Sequence, residues 1–278
     1  MNLYEVNRIN DRLIVFGERL NEWMLNAMAL IIGDKKAALI DSGMGVTGDL
    51  DQFVRNYTDL PIVLLCTHGD PDHIGSNLLF KDIYMSRLDD ELIPWAMSIE
   101  SRLSDLAAMT GGNKAIIDYA REHMVGDNRF DYKDIQDGDI FDLGGIVLEA
   151  VAVPGHSRGS MCFIDRGQGY VIAGDSINPM PWLWIDRCPH MSVYVQSVEN
   201  FIERTKGISQ IYCGHSLQLL PENIAWDIVE AGKEIMEGRI QNDKSFTIPF
   251  NTDLTGIEPY IHKHGAVNIV YNRLKYSI

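Results

Sequence analysis

Ile62-Val63-Leu64-Leu65-Cys66-Thr67-His68-Gly69-Asp70-Pro71-Asp72-His73 passes in one short stretch from continuous apolar chain to a dense cluster of ionisable side chains. The run over 62–66 lacks polar alternation, as a strand buried on both faces does. Gly69 and Pro71 stop the extended chain directly behind it. His68, Asp70 and Asp72 then occupy alternate positions with His73 beside them, and a turn lets all four converge. Imidazole and carboxylate are natural ligands of divalent first-row metals. Without a cation, Asp70 and Asp72 would repel each other beside an apolar strand. A polar surface turn is the rival to this reading for the segment alone.

Three later segments repeat its layout. Val151-Ala152-Val153-Pro154-Gly155-His156 ends an apolar strand in a glycine and a histidine. Val171-Ile172-Ala173-Gly174-Asp175 ends in a glycine and a carboxylate, and Ile211-Tyr212-Cys213-Gly214-His215 again in a glycine and a histidine. Any one of them is as readily a turn as a ligand site. Four strand ends with one ending are hard to explain as turns.

Working outward, the first third reads as short strands near 3–10, 12–16, 25–32 and 37–41. A turn at Asp41-Ser42-Gly43 and a helix over 47–57 follow. The stretch 88–125 is rich in Leu, Ile, Met and Ala at helical spacing, broken at Gly111-Gly112, and reads as a helical insertion. Strands return from Asp131, helices are expected over 193–206 and 222–236, and a last strand near 267–271 sits in a Pro- and Gly-punctuated tail that begins at Phe246. No stretch looks like a linker, so the expectation is one α+β domain over 1–278, with two β-rich halves packed on each other and helices outside.

Composition narrows the function. The chain is 46% hydrophobic and 23% charged, as in an ordinary globular protein. A formal net charge of -15 argues against general nucleic-acid binding, because an acidic surface repels phosphate backbones. No apolar run is long enough to suggest a membrane span. The N-terminus lacks the basic and then apolar regions of a signal peptide, so the expected location is cytoplasmic. Cys66, Cys162, Cys188 and Cys213 form no CxxC pair and no disulfide framework.

Taken together, these motifs resemble the metallo-β-lactamase superfamily, whose pattern is His-x-His-x-Asp-His, then a lone His, a lone Asp and a last His, each at a strand end. Asp41, in Leu39-Ile40-Asp41-Ser42-Gly43, matches the early Asp-x-Gly turn of that family. The resemblance runs from about Met24 to Tyr271 and implies a four-layered αββα sandwich with two metal ions at one edge. By position it implies that His68, Asp70 and His156 hold the first metal. Asp72, His73 and His215 would hold the second, Asp175 would bridge the two, and Asp41 would orient the ligands.

Asp70 departs from the pattern, since the family usually has His there. Flavodiiron proteins carry Glu at this position and bind iron. Four neutral imidazoles and three carboxylates give a ligand charge of about -3 against about +4 from two divalent ions. A five-His, two-Asp set would leave the site one unit more positive. The extra carboxylate weakens Lewis acidity and favours harder metals such as iron or manganese relative to zinc. The expected cofactors are therefore two divalent ions, zinc or iron, with manganese a further candidate.

The implied activity is hydrolysis of an ester, lactone, thioester or related bond in a small molecule. A bridging hydroxide would be the nucleophile and Asp72 would hold it in place. His190 is a candidate proton donor, and Arg158 is either an anion contact or a surface residue. Trp182 and Trp184, with Trp95, Met97 and Met191, are candidates for an apolar substrate wall, or else simply cover the core. His262 and His264 read as surface residues. A β-lactamase proper is not expected, because those enzymes act outside the cytoplasm. The rival class is a di-iron redox enzyme like the flavodiiron oxygen and nitric oxide reductase core. It would need a separate electron donor, because this chain has no room for a flavin domain and no Gly-rich phosphate loop. A binding module that has lost catalysis is a third class, and the nearly complete ligand set argues against it.

Overall fold

The computed structural model describes residues 1–247 and 257–273. Its first sheet is seven-stranded and runs in sequence order: β1 (Tyr4–Arg8), β2 (Leu13–Arg19), β3 (Leu25–Ile32), β4 (Ala37–Ile40), β5 (Ile62–Leu65), β6 (Ile83–Met85) and β7 (Lys133–Asp134). β1 to β4 pair antiparallel, and β4 to β7 pair parallel. The parallel half needs crossovers, and these hold α1 (Leu50–Arg55), α2 (Pro71–Ile74), α3 (Ile93–Ala96), α4 (Ile99–Met109) and α5 (Lys114–His123). The last three form the helical stretch foreseen at 88–125, and α4 and α5 are parted at Gly111-Gly112. The helix expected over 47–57 is confined to α1, because Asp49 still has a φ of -130° and the helix begins only after it.

The remaining strands are β8 (Ile140–Asp142), β9 (Val147–Ala152), β10 (Met161–Asp165), β11 (Tyr170–Ile172), β12 (Trp182–Leu183), β13 (Gln210–Tyr212), β14 (Lys244–Ser245), β15 (Pro259–His264) and β16 (Val267–Asn272). A five-stranded sheet has the order β13-β11-β10-β9-β8, and a four-stranded sheet has the order β12-β16-β15-β14. The four-stranded sheet corrects the expectation of a single late strand. Trp182-Leu183 pairs in parallel with Val270-Tyr271, a long-range partnership without a local sequence signal. Of the expected tail from Phe246, residues 248–256 and 274–278 lie outside the described residues.

Alternation along the strands explains the layering. Leu13, Val15, Ala27, Ala29 and Ile31 face Leu148, Ala150, Phe163 and Ile172 of the five-stranded sheet. The intervening Ile14, Phe16, Met28 and Leu30 pack on the other side with Leu50, Val54, Ile93 and Ala96 from α1 and α3. Beyond the five-stranded sheet, α6 (Met191–Arg204) and α7 (Ile224–Met236) bury Tyr194, Val198, Phe201 and Ile228 against Val151, Ile164 and Val171. With apolar contact on both faces of each large sheet, the strands read as continuous hydrophobic runs. The result is the α+β sandwich that the sequence implied.

Arg102 of α4 ties the helical stretch to the sandwich. It is fully buried, and its guanidinium donates to the carbonyls of Met44, Gly75, Met97, Val125 and Gly126. Met44 and Gly75 lie in the turns that follow Asp41 and His73. Among the described residues, no helix is long and apolar enough to cross a membrane.

Candidate metal centre

Five of the ligand-type residues lie just past the C-terminal end of a strand: Asp41 after β4, His68 after β5, His156 after β9, Asp175 after β11 and His215 after β13, while Asp70 precedes α2 and Asp72 and His73 lie in it. β11 and β13 are parallel neighbours, and the Gly214 N–H donates to the Gly174 carbonyl at 2.9 Å, so Asp175 and His215 emerge side by side. The glycines before them are required by close approach. A Cβ on Gly214 would come within 2.5 Å of Asp175 Oδ1, and one on Gly174, at a φ of +51°, within 2.4 Å of Thr67 Oγ1.

The side chains converge as two groups able to hold an ion, His68 with His156 and Asp175, and Asp72 with His73 and His215. Asp175 lies between them: its Oδ2 is 3.0 Å from His215 Nε2 and its Oδ1 is 3.7 Å from His73 Nε2. Asp72 Oδ2 is 3.8 Å from both His73 Nε2 and His215 Nε2. Asp70 Oδ2 is 3.1 Å from His156 Nε2 and 3.9 Å from His68 Nε2.

The outer nitrogens of the histidines are already committed. His156 Nδ1 donates to the Trp182 carbonyl and His215 Nδ1 to the Leu25 carbonyl, both at 3.0 Å. His73 Nδ1 donates to Asp41 Oδ2 at 2.8 Å. Thr67 Oγ1 donates to the same carboxylate at 2.7 Å and lies 3.0 Å from His68 Nδ1, from which it can accept. A carbonyl or carboxylate only accepts, so these bonds select the tautomer with a lone pair on Nε2, the atom aimed inward. His68 Nε2, His73 Nε2, Asp70 Oδ1 and Asp175 Oδ1 are buried without a hydrogen-bond partner among the described residues. Buried polar atoms are rarely left so, and four of them converging is what a metal site requires. The donor set of imidazole and carboxylate fits divalent ions.

The electrostatics have the same origin. Burial alone would raise the pKa of Asp175, but His215 and His73 hold it well below the usual carboxylate range. Burial likewise opposes protonation of His73, yet Asp72, Asp41 and Asp175 push it up to about 10. Asp105 of α4 is pushed up to about 6, first by burial and then by Asp72 and Asp70. A buried surplus of negative charge draws in positive charge, whether protons or metal ions.

Asp41 accepts from the Thr67 backbone N–H at 2.7 Å as well as from His73 and Thr67 Oγ1, and it holds a φ of +62°. Asn tolerates this backbone region, so Asp41→Asn keeps the turn while removing the charge behind His73. Metal affinity should then fall about 10–100-fold. Competition with a chromophoric chelator measures it, and unchanged affinity would remove Asp41 from the assembly.

The other site candidates scatter. Trp184, Met97 and Met191 are fully buried and pack inside. Trp182 is half-buried, and Trp95 keeps 37% of its surface exposed. Arg158 is exposed, 3.9 Å from Glu91. His190 caps α6, its Nδ1 accepting from the Ser192 N–H at 3.4 Å. His262 is buried between Asp243 and Glu234, at 2.9 Å from each, which corrects its reading as a surface residue. The four cysteines are free and buried.

Two residues escaped sequence reasoning. Asp89 is buried and accepts from the Gly69 N–H at 3.0 Å, the Gly159 N–H at 2.8 Å and Ser157 Oγ at 2.6 Å, joining the His68 loop to the His156 loop. Arg187 pairs with Asp70. Neither stands in a patterned segment, so no local signal singles it out.

Comparison with known proteins agrees with this geometry. Residues 22–215 match the family described as the metallo-beta-lactamase superfamily. The chain is 28% identical over 211 residues to the acyl-coenzyme A thioesterase MBLAC2 of Bos taurus, covering 70% of this chain and 71% of that protein. It is 25% identical over 150 residues to the hydroxyacylglutathione hydrolase GloC of Haemophilus influenzae, covering 51% and 61%. Among solved structures, a metallo-beta-lactamase from Pontibacter korlensis superposes with a TM-score of 0.60 at 15% identity, over 83% of this chain and 99% of the other.

Proposed function

This chain belongs to the metallo-beta-lactamase superfamily and is a hydrolase of that family, and we propose that it cleaves thioesters of small acyl groups at a dinuclear metal centre. The observation that carries the proposal is the pair of ligand groups, joined by Asp175, with unpartnered inward atoms. His68, His156 and Asp175 would hold one ion, with Asp70 Oδ2 beside His156 and His68. Asp72, His73 and His215 would hold the other. When bound, two such ions polarise an acyl carbonyl and make a water nucleophilic near neutral pH.

The chain's own residues do the rest. The Asp72 carboxylate accepts a hydrogen bond from the attacking water and turns its lone pair toward the carbonyl carbon. Trp95 and Trp182 offer apolar surface to the acyl part. His190 has a structural role at its helix end, and a thiolate needs no proton from it. A thiol has a pKa near 8.5, so its anion departs unprotonated far more readily than an alkoxide. This favours a thioester over an ester. Both named relatives also act on acyl conjugates of thiols, coenzyme A in one case and glutathione in the other.

A panel of acyl-coenzyme A, acyl-glutathione, oxoester, lactone and phosphodiester substrates tests the reading, with metal content measured on the same protein. Thioester turnover should exceed oxoester turnover by at least about tenfold in kcat/KM. Preference for lactones or phosphodiesters would overturn the substrate class, and a single bound ion would overturn the dinuclear claim. The carboxylate at Asp70 is the one observation favouring a di-iron redox enzyme. Iron content together with oxygen consumption driven by an artificial reductant would establish that reading instead.

A further inference from the structure

Asp70 is where the ligand set departs from the family pattern, and a cation stands against it. Arg187, in the loop between β12 and α6, places Nη2 on Asp70 Oδ2. The two residues are 117 positions apart in sequence, and both side chains are largely buried. The guanidinium carbon lies 4.9 Å from the ring centroid of Trp95, so α3 supports the arginine from its other face. Asp70 Oδ2 is thus occupied, whereas Oδ1 is buried without a hydrogen-bond partner among the described residues. Asp70 Oδ2 therefore stands between the guanidinium and the inward Nε2 atoms of His156, at 3.1 Å, and His68, at 3.9 Å.

We propose that Arg187 is a positioning residue that neutralises Asp70, so that the Asp70–Arg187 pair takes the electrostatic place of a single neutral histidine ligand. The inference rests on the metal-dependent reading above. Three carboxylates and four neutral imidazoles carry about -3, and one guanidinium returns the assembly to about -2, the charge of a five-His, two-Asp set. The pressure toward harder ions that Asp70 exerts by itself is thereby cancelled. Zinc becomes the better match, and the case for iron weakens.

The pair makes two opposite demands, which a double-mutant cycle reads without reference to turnover. Arg187→Met keeps an apolar chain against Trp95 and removes the charge. The ratio of manganese to zinc affinity, measured by chelator competition, should then rise about tenfold. Arg187→Lys keeps the charge and should hold the ratio within about threefold of the parent. Asp70→His leaves the guanidinium facing a neutral ligand in place of its carboxylate partner and should weaken zinc at least about tenfold. Asp70→His/Arg187→Met should recover most of that loss. Additive losses in the double variant, or an unchanged ratio in Arg187→Met, would overturn the inference. Should Asp70→His fail to fold, the contrast between Arg187→Met and Arg187→Lys still decides the matter. Parent protein that binds no metal would refute the metal reading itself. Parent protein that binds metal while the cycle is additive would refute only the role of Arg187.

Discussion

Asp175→Ala will lower turnover on the order of a thousandfold or more and reduce the bound metal below two ions per chain. This carboxylate belongs to one ligand group and lies against two histidines of the other. It lies within 3.0 Å of His215 Nε2 and within 3.7 Å of His73 Nε2, and it completes the set formed by His68 and His156. On the dinuclear reading its removal would take one ligand from each position, and it withdraws the charge that faces both histidines. Elemental analysis and steady-state kinetics on the same preparation measure the two effects together. Its carboxylate accepts few structural hydrogen bonds, so the fold should survive. Turnover within a few-fold of the parent would show that Asp175 is not a ligand.

Removing metal from the intact protein should lower the melting temperature by roughly 10 °C. An ion present at a thousandfold excess over its dissociation constant stabilises the native state by about 4 kcal/mol. A chain of this length shifts by roughly 2–4 °C for each kcal/mol. The physical source lies in the converging groups. Without cations, the carboxylates of Asp70, Asp72 and Asp175 stay crowded around the histidines, and His68 Nε2 and His73 Nε2 are buried without a hydrogen-bond partner among the described residues. Thermal melts in EDTA, followed by restoration with zinc, measure the effect. An unchanged melting temperature would mean that the buried ligand atoms bind nothing.

The strand ends were legible because their chemistry is local. A continuous apolar run and then a ligand-type residue recur at 62–68, 151–156, 171–175 and 211–215, with a glycine directly before the ligand in the last three, and each run became a strand in the sandwich. The glycines were legible as turns, although their actual purpose is steric: Gly214 and Gly174 leave room for Asp175 and Thr67. Aromatic residues were undecided: Trp184 and its apolar neighbours read equally as substrate surface or as core cover, because hydrophobicity does not tell which side chains a sheet will cover, and Trp184 lies in the core. His262 read as exposed because its partners Asp243 and Glu234 are distant in sequence.

By itself the sequence determined the fold class and the candidate ligands, since periodicity and residue type are properties of short segments. Tertiary structure alone decided how the candidate ligands are oriented and what charge surrounds them. The tautomers depend on carbonyls of Leu25 and Trp182, and the charge on Asp70 depends on Arg187. Such partners meet only when separate strands and loops are packed together. An electrostatic interaction depends on distance in space and leaves no periodic trace along the chain. The cluster at His68-Gly69-Asp70-Pro71-Asp72-His73 therefore announced a metal site, while the arginine that sets its charge balance came into view only in the folded chain.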